Sequence, residues 1–248
     1  KTKMMNIFSY KLVELKPTRI GVIVLQSDET IEQDMIKLRG NADLFFSRVP
    51  SSKEVNEATL QSMANHITGA ARLFPETAKF DAVGYGCTSG TAQIGVDTVS
   101  RLVSKGVDTA HVSEPVSALV SACNHLGLKR LAFLSPYIES VSSNLRNVMT
   151  QNGIESPTFG TFAEAKEAKV VRISGKSVMT AAQELCKTRD VDGIFLSCTN
   201  LRTLDLIMPL EESIGLPVIS SNLALAWHLG KLTGTADAMV GPGRLFAI

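Results

Sequence analysis

Apolar residues along the chain gather into short unbroken runs, separated by longer stretches with helical spacing. The runs at 20–25, 82–86, 131–134 and 193–197, with another at 217–220 (PVIS), have the length and flanks of strands buried on both faces. Between them the spacing predicts helices over 57–73, 93–104, 115–126, 140–151 and 176–188, the last with Ser174 as N-cap. A final helix is predicted through LALAWHLGKL. Each half reads as strand, helix, strand, helix, strand. Strands alternating with helices predict an α/β fold with parallel sheets covered on both faces.

The pattern repeats. Arg19-Ile20-Gly21-Val22 resembles Arg130-Leu131-Ala132-Phe133, and the run from Phe80 to Thr88 resembles that from Val191 to Thr199. Arg19 to Arg130, Asp81 to Asp192 and Cys87 to Cys198 all stand 111 residues apart. Three anchors at one offset argue for duplication. The expected architecture is two similar Rossmann-like lobes related by a pseudo-two-fold, with the site in the cleft between them. Residues 1–114 with 223–248 are read as the N-terminal lobe and 115–222 as the C-terminal lobe. The last helix thus returns to the first lobe.

Cys87 and Cys198 each follow an apolar strand, and ligands in parallel α/β sheets bind beyond the carboxyl ends of strands. Each precedes small polar residues, Thr88-Ser89-Gly90 and Thr199-Asn200, and then a helix-like segment. That setting predicts thiols at helix N-termini, where unpaired N–H groups lower a thiol pKa and can hold a carboxylate or an enolate oxygen. Two facing thiols suit proton removal on one face of a substrate and delivery on the other. A free cysteine is usually inert core, and Cys123 and Cys186, inside helical runs, are read that way. The loop GYGCTSGT matches neither a phosphate-binding nor a dinucleotide-binding glycine pattern. Glu114 (HVSEP) and Arg48 (FFSRVP) are loop charges that either serve the site or are simply solvated.

Composition narrows the classes. Lys and Arg total 25 against 24 Asp and Glu, with no basic block, so nothing favours a nucleic acid or an anionic membrane. No apolar run approaches the roughly 20 residues that span a bilayer. The segment KTKMMNIFSYKLVELKP has polar breaks where a signal peptide needs an apolar stretch, so a cytoplasmic location is expected. The four cysteines show no C-x-x-C pair, and the four histidines no metal-ligand spacing, so free thiols and no bound metal are expected.

At GYGCTSGT, LSPY, LSCTNLRT and PVISSNLALAWHL the chain resembles the aspartate/glutamate racemase superfamily. The branch it is most similar to holds maleate isomerases, arylmalonate decarboxylases and ectoine-utilisation proteins, and the resemblance runs from Arg19 to about Gly243. It implies catalytic roles for Cys87 and Cys198, no cofactor, and carboxylate binding by Thr88, Ser89, Thr199 and Asn200. It also implies substrate contact by Tyr137, which could otherwise be a structural tyrosine. Relatives suggest a homodimer. Maleate isomerases resemble P-S-S-N after the first strand, where the asparagine helps hold a carboxylate. Here Leu25-Gln26-Ser27-Asp28 puts Asp28 at that position. An ionised Asp28 would repel a second carboxylate and pair with an ammonium. Equally, Asp28 would cap a helix beginning near Thr30.

The leading expectation is an isomerase or racemase acting beside a carboxylate of an amino acid or dicarboxylate. A decarboxylase is the alternative, with Cys198 as proton donor. Arylmalonate decarboxylases resemble this chain near Cys198 but carry glycine where Cys87 stands. A non-catalytic carboxylate-binding protein is the third reading, for which two aligned thiols are an odd choice.

Overall fold

The computed structural model describes residues 5–14, 16–187 and 190–247. The first half runs β1 (Arg19–Leu25), α1 (Ile31–Leu38), β2 (Asp43–Val49), α2 (Glu57–Ser62), α3 (Ala64–Ala71), β3 (Ala82–Gly86), α4 (Thr88–Ile94), α5 (Val96–Ser104) and β4 (Val112–Ser113). The second half runs α6 (Pro115–Leu126), β5 (Arg130–Ser135), α7 (Glu139–Gln151), β6 (Glu155–Thr161), α8 (Glu167–Val170), α9 (Gly175–Leu185), β7 (Gly193–Leu196), α10 (Ile207–Ile214), β8 (Val218–Ser220) and α11 (Ser221–Thr233).

The strands form two four-stranded sheets, ordered β2-β1-β3-β4 and β6-β5-β7-β8, with every named pair parallel. The identical order is the structural form of the sequence repeat. Its anchors have a physical role. Asp81 Oδ2 accepts the N–H of Arg19 at 2.8 Å, and Asp192 Oδ1 accepts that of Arg130 at 3.0 Å. In each half an aspartate ahead of the third strand thus satisfies the opening amide of the first. The central strands β1, β3, β5 and β7 are almost wholly buried, as their continuous apolar runs require.

Helix α11 packs against α6, α1 and β3. Gly84 permits this approach, since a Cβ there would lie 3.1 Å from Leu229 Cδ1. Ser174 caps α9 as expected, accepting the Ser177 N–H. Of the helix expected over 176–188, residue 188 lies outside the described residues.

Three readings need correction. The helix expected over 57–73 is two helices, with the bend at Met63, whose side chain enters the central cleft. The helix expected over 93–104 begins earlier, at Thr88, and breaks at Gly95, whose φ of +93° suits glycine. The strand β6 was not anticipated, because ESPTFGT sits at a sheet edge and exposes part of each face. Among the described residues no helix is long and apolar enough to cross a membrane.

Candidate active site

The carboxyl ends of β3 and β7 deliver Cys87 and Cys198 to one cleft. Both line a cavity of about 20 Å³, together with Thr88, Ser89, Tyr137, Thr199 and Asn200. Seven of the eight site residues expected from the sequence therefore meet there. Asp28 does not line this cavity. Its Oδ1 accepts the N–H groups of Thr30 and Ile31, both at 2.8 Å, and so caps the start of α1. Burial raises its carboxyl pKa, opposed by those two amides, the Thr199 side chain and the charge of Arg48.

The two thiols are held differently. Cys87 is the N-cap of α4, and its sulfur accepts the N–H of Gly90 at 3.2 Å. Thr88 and Ser89 open that helix, so their amides have no intrahelical acceptor. Cys198 is not followed directly by a helix, which corrects the expectation of two matched helix N-termini; a short turn at Leu204–Leu206 comes first. It adopts φ of +103°, which L residues rarely adopt, and such strain concentrates at functional sites. Its sulfur lies 3.3 Å from the N–H of Asn200 and 3.0 Å from Tyr137 Oη.

The expected lowering of the thiol pKa values is also corrected. Burial pushes Cys87 up to about 12, with Glu167 and Asp28 adding to the rise and the Gly90 amide opposing it. Burial likewise holds Cys198 well above its ordinary value, with the charges of Glu167 and Asp28 adding to the rise and Tyr137 and Asn200 opposing it. Desolvation of the thiolate outweighs the few amides that favour it. Both sulfurs therefore rest as thiols.

Two residues at the site were not singled out from the sequence, although Ser221 lies in the segment PVISSNLALAWHL. Glu167, buried on the first turn of α8, accepts from Tyr137 Oη at 2.6 Å on Oε1 and from Asn200 Nδ2 at 2.8 Å on Oε2. It sits in a polar stretch, EAKEAK, that reads as an exposed linker. Ser221, at the start of α11, accepts from the Thr88 hydroxyl and from the N–H of Cys198.

The two charges expected in loops are structural, and Arg48 lies within β2, not in a loop. Glu114 caps α6 by accepting the amides of Val116 and Ser117. Arg48 donates to the carbonyls of Leu25, Gln26 and Asp28 and pairs with Glu32. All four cysteines are free, with Cys123 buried in α6 and Cys186 half-buried just past the end of α9, rather than inside the helix expected there.

Loops from the two halves close over the cleft. Glu54 and Lys166 form an antiparallel bridge, flanked by the bonds Val55 N–H to Ala165 O at 2.9 Å and Glu167 N–H to Lys53 O at 3.3 Å. From the other side Thr199 Oγ1 donates to Gly86 O at 3.3 Å.

Comparison with known proteins places this arrangement. The arylmalonate decarboxylase of Bordetella bronchiseptica is 25% identical over 77% of this chain and 79% of its own length. The maleate isomerase of Nocardia farcinica is 24% identical over 92% of this chain and 94% of its own. A crystal structure of a cysteine-to-serine mutant of Nocardia farcinica maleate cis–trans isomerase holds a covalently bound succinylcysteine intermediate. It superposes with a TM-score of 0.81 at 23% identity, covering 93% of this chain and 98% of that one. The arylmalonate decarboxylase family model matches residues 20–246, nearly the whole chain, and the protein therefore belongs to that family.

Proposed function

We propose that the protein is a cofactor-independent isomerase or racemase in which Cys87 and Cys198 face one small carboxylate substrate, an amino acid or a dicarboxylate. The carrying observation is that two cysteines 111 residues apart, at the ends of equivalent strands, line the same cavity. In the racemase form one sulfur, once ionised, takes the α-proton and the opposite thiol returns one. In the cis–trans form Cys87 adds to the double bond, rotation follows, and the thiolate departs. The succinylcysteine intermediate held by the Nocardia protein supports sulfur as a nucleophile on this fold. Thr88, Ser89, Thr199 and Asn200 bind the substrate carboxylate, and Tyr137 contacts substrate beside Cys198. Asp28 bears on the site from the base of α1.

The family match also supports a decarboxylase, in which loss of carbon dioxide leaves an enediolate that Cys198 protonates. Only one thiol is needed for that chemistry, so the presence of Cys87 favours the isomerase. We further read residues 1–114 with 223–248 and residues 115–222 as the two lobes. The packing of α11 on α1 and β3 supports the return of the last helix to the first lobe, and α11 also packs on α6 of the second. A cytoplasmic location and a homodimer complete the reading.

The test is proton NMR in deuterium oxide with a panel of amino acids, dicarboxylates and arylmalonates. Loss of an α-proton signal, or conversion of maleate to fumarate, is expected in wild type and abolished by Cys87→Ser and by Cys198→Ser. Turnover that survives Cys87→Ser and needs only Cys198 would replace the isomerase with the decarboxylase.

A further inference from the structure

Glu167 enters the cleft from a helix of one turn, and its carboxyl group is linked to a reacting sulfur through a single side chain. Tyr137 Oη lies 2.6 Å from Glu167 Oε1 and 3.0 Å from Cys198 Sγ. A phenol carries one proton. With that proton given to Glu167, the S–H of Cys198 donates to the phenol oxygen. Carboxylate, phenol and thiol then form a continuous chain, and all three residues are at most 5% exposed. At Cys87 a buried tyrosine, Tyr85, also interacts with the sulfur, but its hydroxyl reaches the sulfur of Met63 and not a carboxylate, and the Cys87 sulfur takes the Gly90 N–H.

We propose that Glu167 is the proton acceptor for Cys198, acting through Tyr137, so that Cys198 is the thiol that ionises on demand. The proposal rests on Cys198 being a reacting sulfur. In the step, the S–H bond of Cys198 breaks and its proton passes to the oxygen of Tyr137. The O–H proton of Tyr137 passes at the same time to Glu167 Oε1. A thiolate and a neutral carboxylic acid result, Tyr137 stays neutral, and one negative charge has moved from carboxylate to sulfur. The reverse transfer restores the thiol after Cys198 has acted as an acid. Asn200 supports both ends, with its backbone N–H on the sulfur and its side-chain amide on Oε2. Burial raises the Glu167 carboxyl above its ordinary value, and a base works best when its pKa approaches the working pH.

The experiment needs no substrate. Wild type, Glu167→Gln and Tyr137→Phe are treated with iodoacetamide from pH 5 to 9, and peptide mass mapping gives separate rates for Cys198, Cys87 and Cys123. In wild type, Cys198 is expected to react faster than Cys123, a buried thiol outside the cleft, with a rate that falls as Glu167 takes up its proton at low pH. Either substitution is expected to slow Cys198 roughly 100-fold at neutral pH and to remove the low-pH limb, with Cys123, outside the cleft, within about 2-fold of wild type as the check on folding. A Cys198 rate that follows Cys123 in wild type, or a profile unchanged in both variants, overturns the proposal. Because no turnover is measured, that result leaves the isomerase reading standing, and failure of the isomerase reading leaves the reactivity result intact.

Discussion

The hydroxyl of Thr88 donates to Ser221 Oγ at 2.8 Å, across 133 residues of chain, and the same oxygen accepts the N–H of Cys198 at 3.0 Å. One serine thus ties the loop carrying the first thiol to the loop carrying the second. Ser221→Ala leaves two buried donors unpaired. Stability is expected to fall by about 1–3 kcal/mol, and turnover by roughly 10–100-fold as the thiols lose alignment. Urea unfolding and the NMR assay read the two effects separately. Unchanged turnover would mean that the tie does not position the cysteines.

Gly90 lies against the sulfur of Cys87. A Cβ there would stand 2.8 Å from Sγ, 2.9 Å from Met63 Cε and 3.2 Å from Tyr85 Oη. Met63 can swing aside, but the sulfur moves only by leaving the Gly90 amide. Gly90→Ala is expected to destabilise by about 1–3 kcal/mol through overpacking and to cut turnover at least tenfold. Gly69→Ala, in α3 with nothing within 4 Å, is the control and should be neutral or stabilising by up to about 1 kcal/mol. Equal turnover in the two variants would show that the position of the Cys87 sulfur is not critical.

Asp34, buried in α1 with Asn222 Nδ2 at 2.8 Å, is pushed up to about 6 by desolvation. In the unfolded chain the same carboxyl ionises near pH 4. The folded state therefore binds more protons between about pH 4 and 6, and stability falls as pH rises through that window, levelling off above it. Buried Asp28, Glu114 and Glu167 are raised as well and tilt the same way. The difference between wild type and Asp34→Asn isolates Asp34. Urea midpoints measured from pH 4 to 7 should decline less steeply in the variant, and parallel curves would refute the assignment.

Arg48 reaches three carbonyls of the loop that carries Asp28, and also Glu32 at 2.8 Å. The ion pair is partly exposed, and such pairs contribute little, whereas the carbonyls lose their donor outright. Glu32→Ala is expected to change stability by less than about 1 kcal/mol, and Arg48→Ala to cost about 1–3 kcal/mol. Chemical denaturation of the two variants decides, and equal losses would place the weight on the ion pair instead.

What the sequence revealed followed from burial and repetition. The central strands are apolar throughout because both faces are covered, and the offset of 111 by itself picks out both cysteines. The polar loops Thr88-Ser89 and Thr199-Asn200 followed from those thiols. Glu167 and Ser221 were hidden for the opposite reason. Each reaches the site by a tertiary path, one from a polar stretch of ordinary composition and one from a helix start, and no periodicity marks either. Asp28 shows a further limit, since a residue with capping chemistry sits in the same loop whether it caps or binds. The thiol pKa values were misjudged because local sequence displays nearby amides but not the loss of water around them.

The antiparallel contact between Glu54 and Lys166 joins main chain to main chain across the mouth of the cleft. A space of about 20 Å³ holds little more than a water molecule, so a carboxylic acid fits only when the residues around it give way. The hydrogen bonds across the mouth belong to peptide groups, which every amino acid supplies. Side chains around the pocket can therefore be exchanged without removing this link between the two halves.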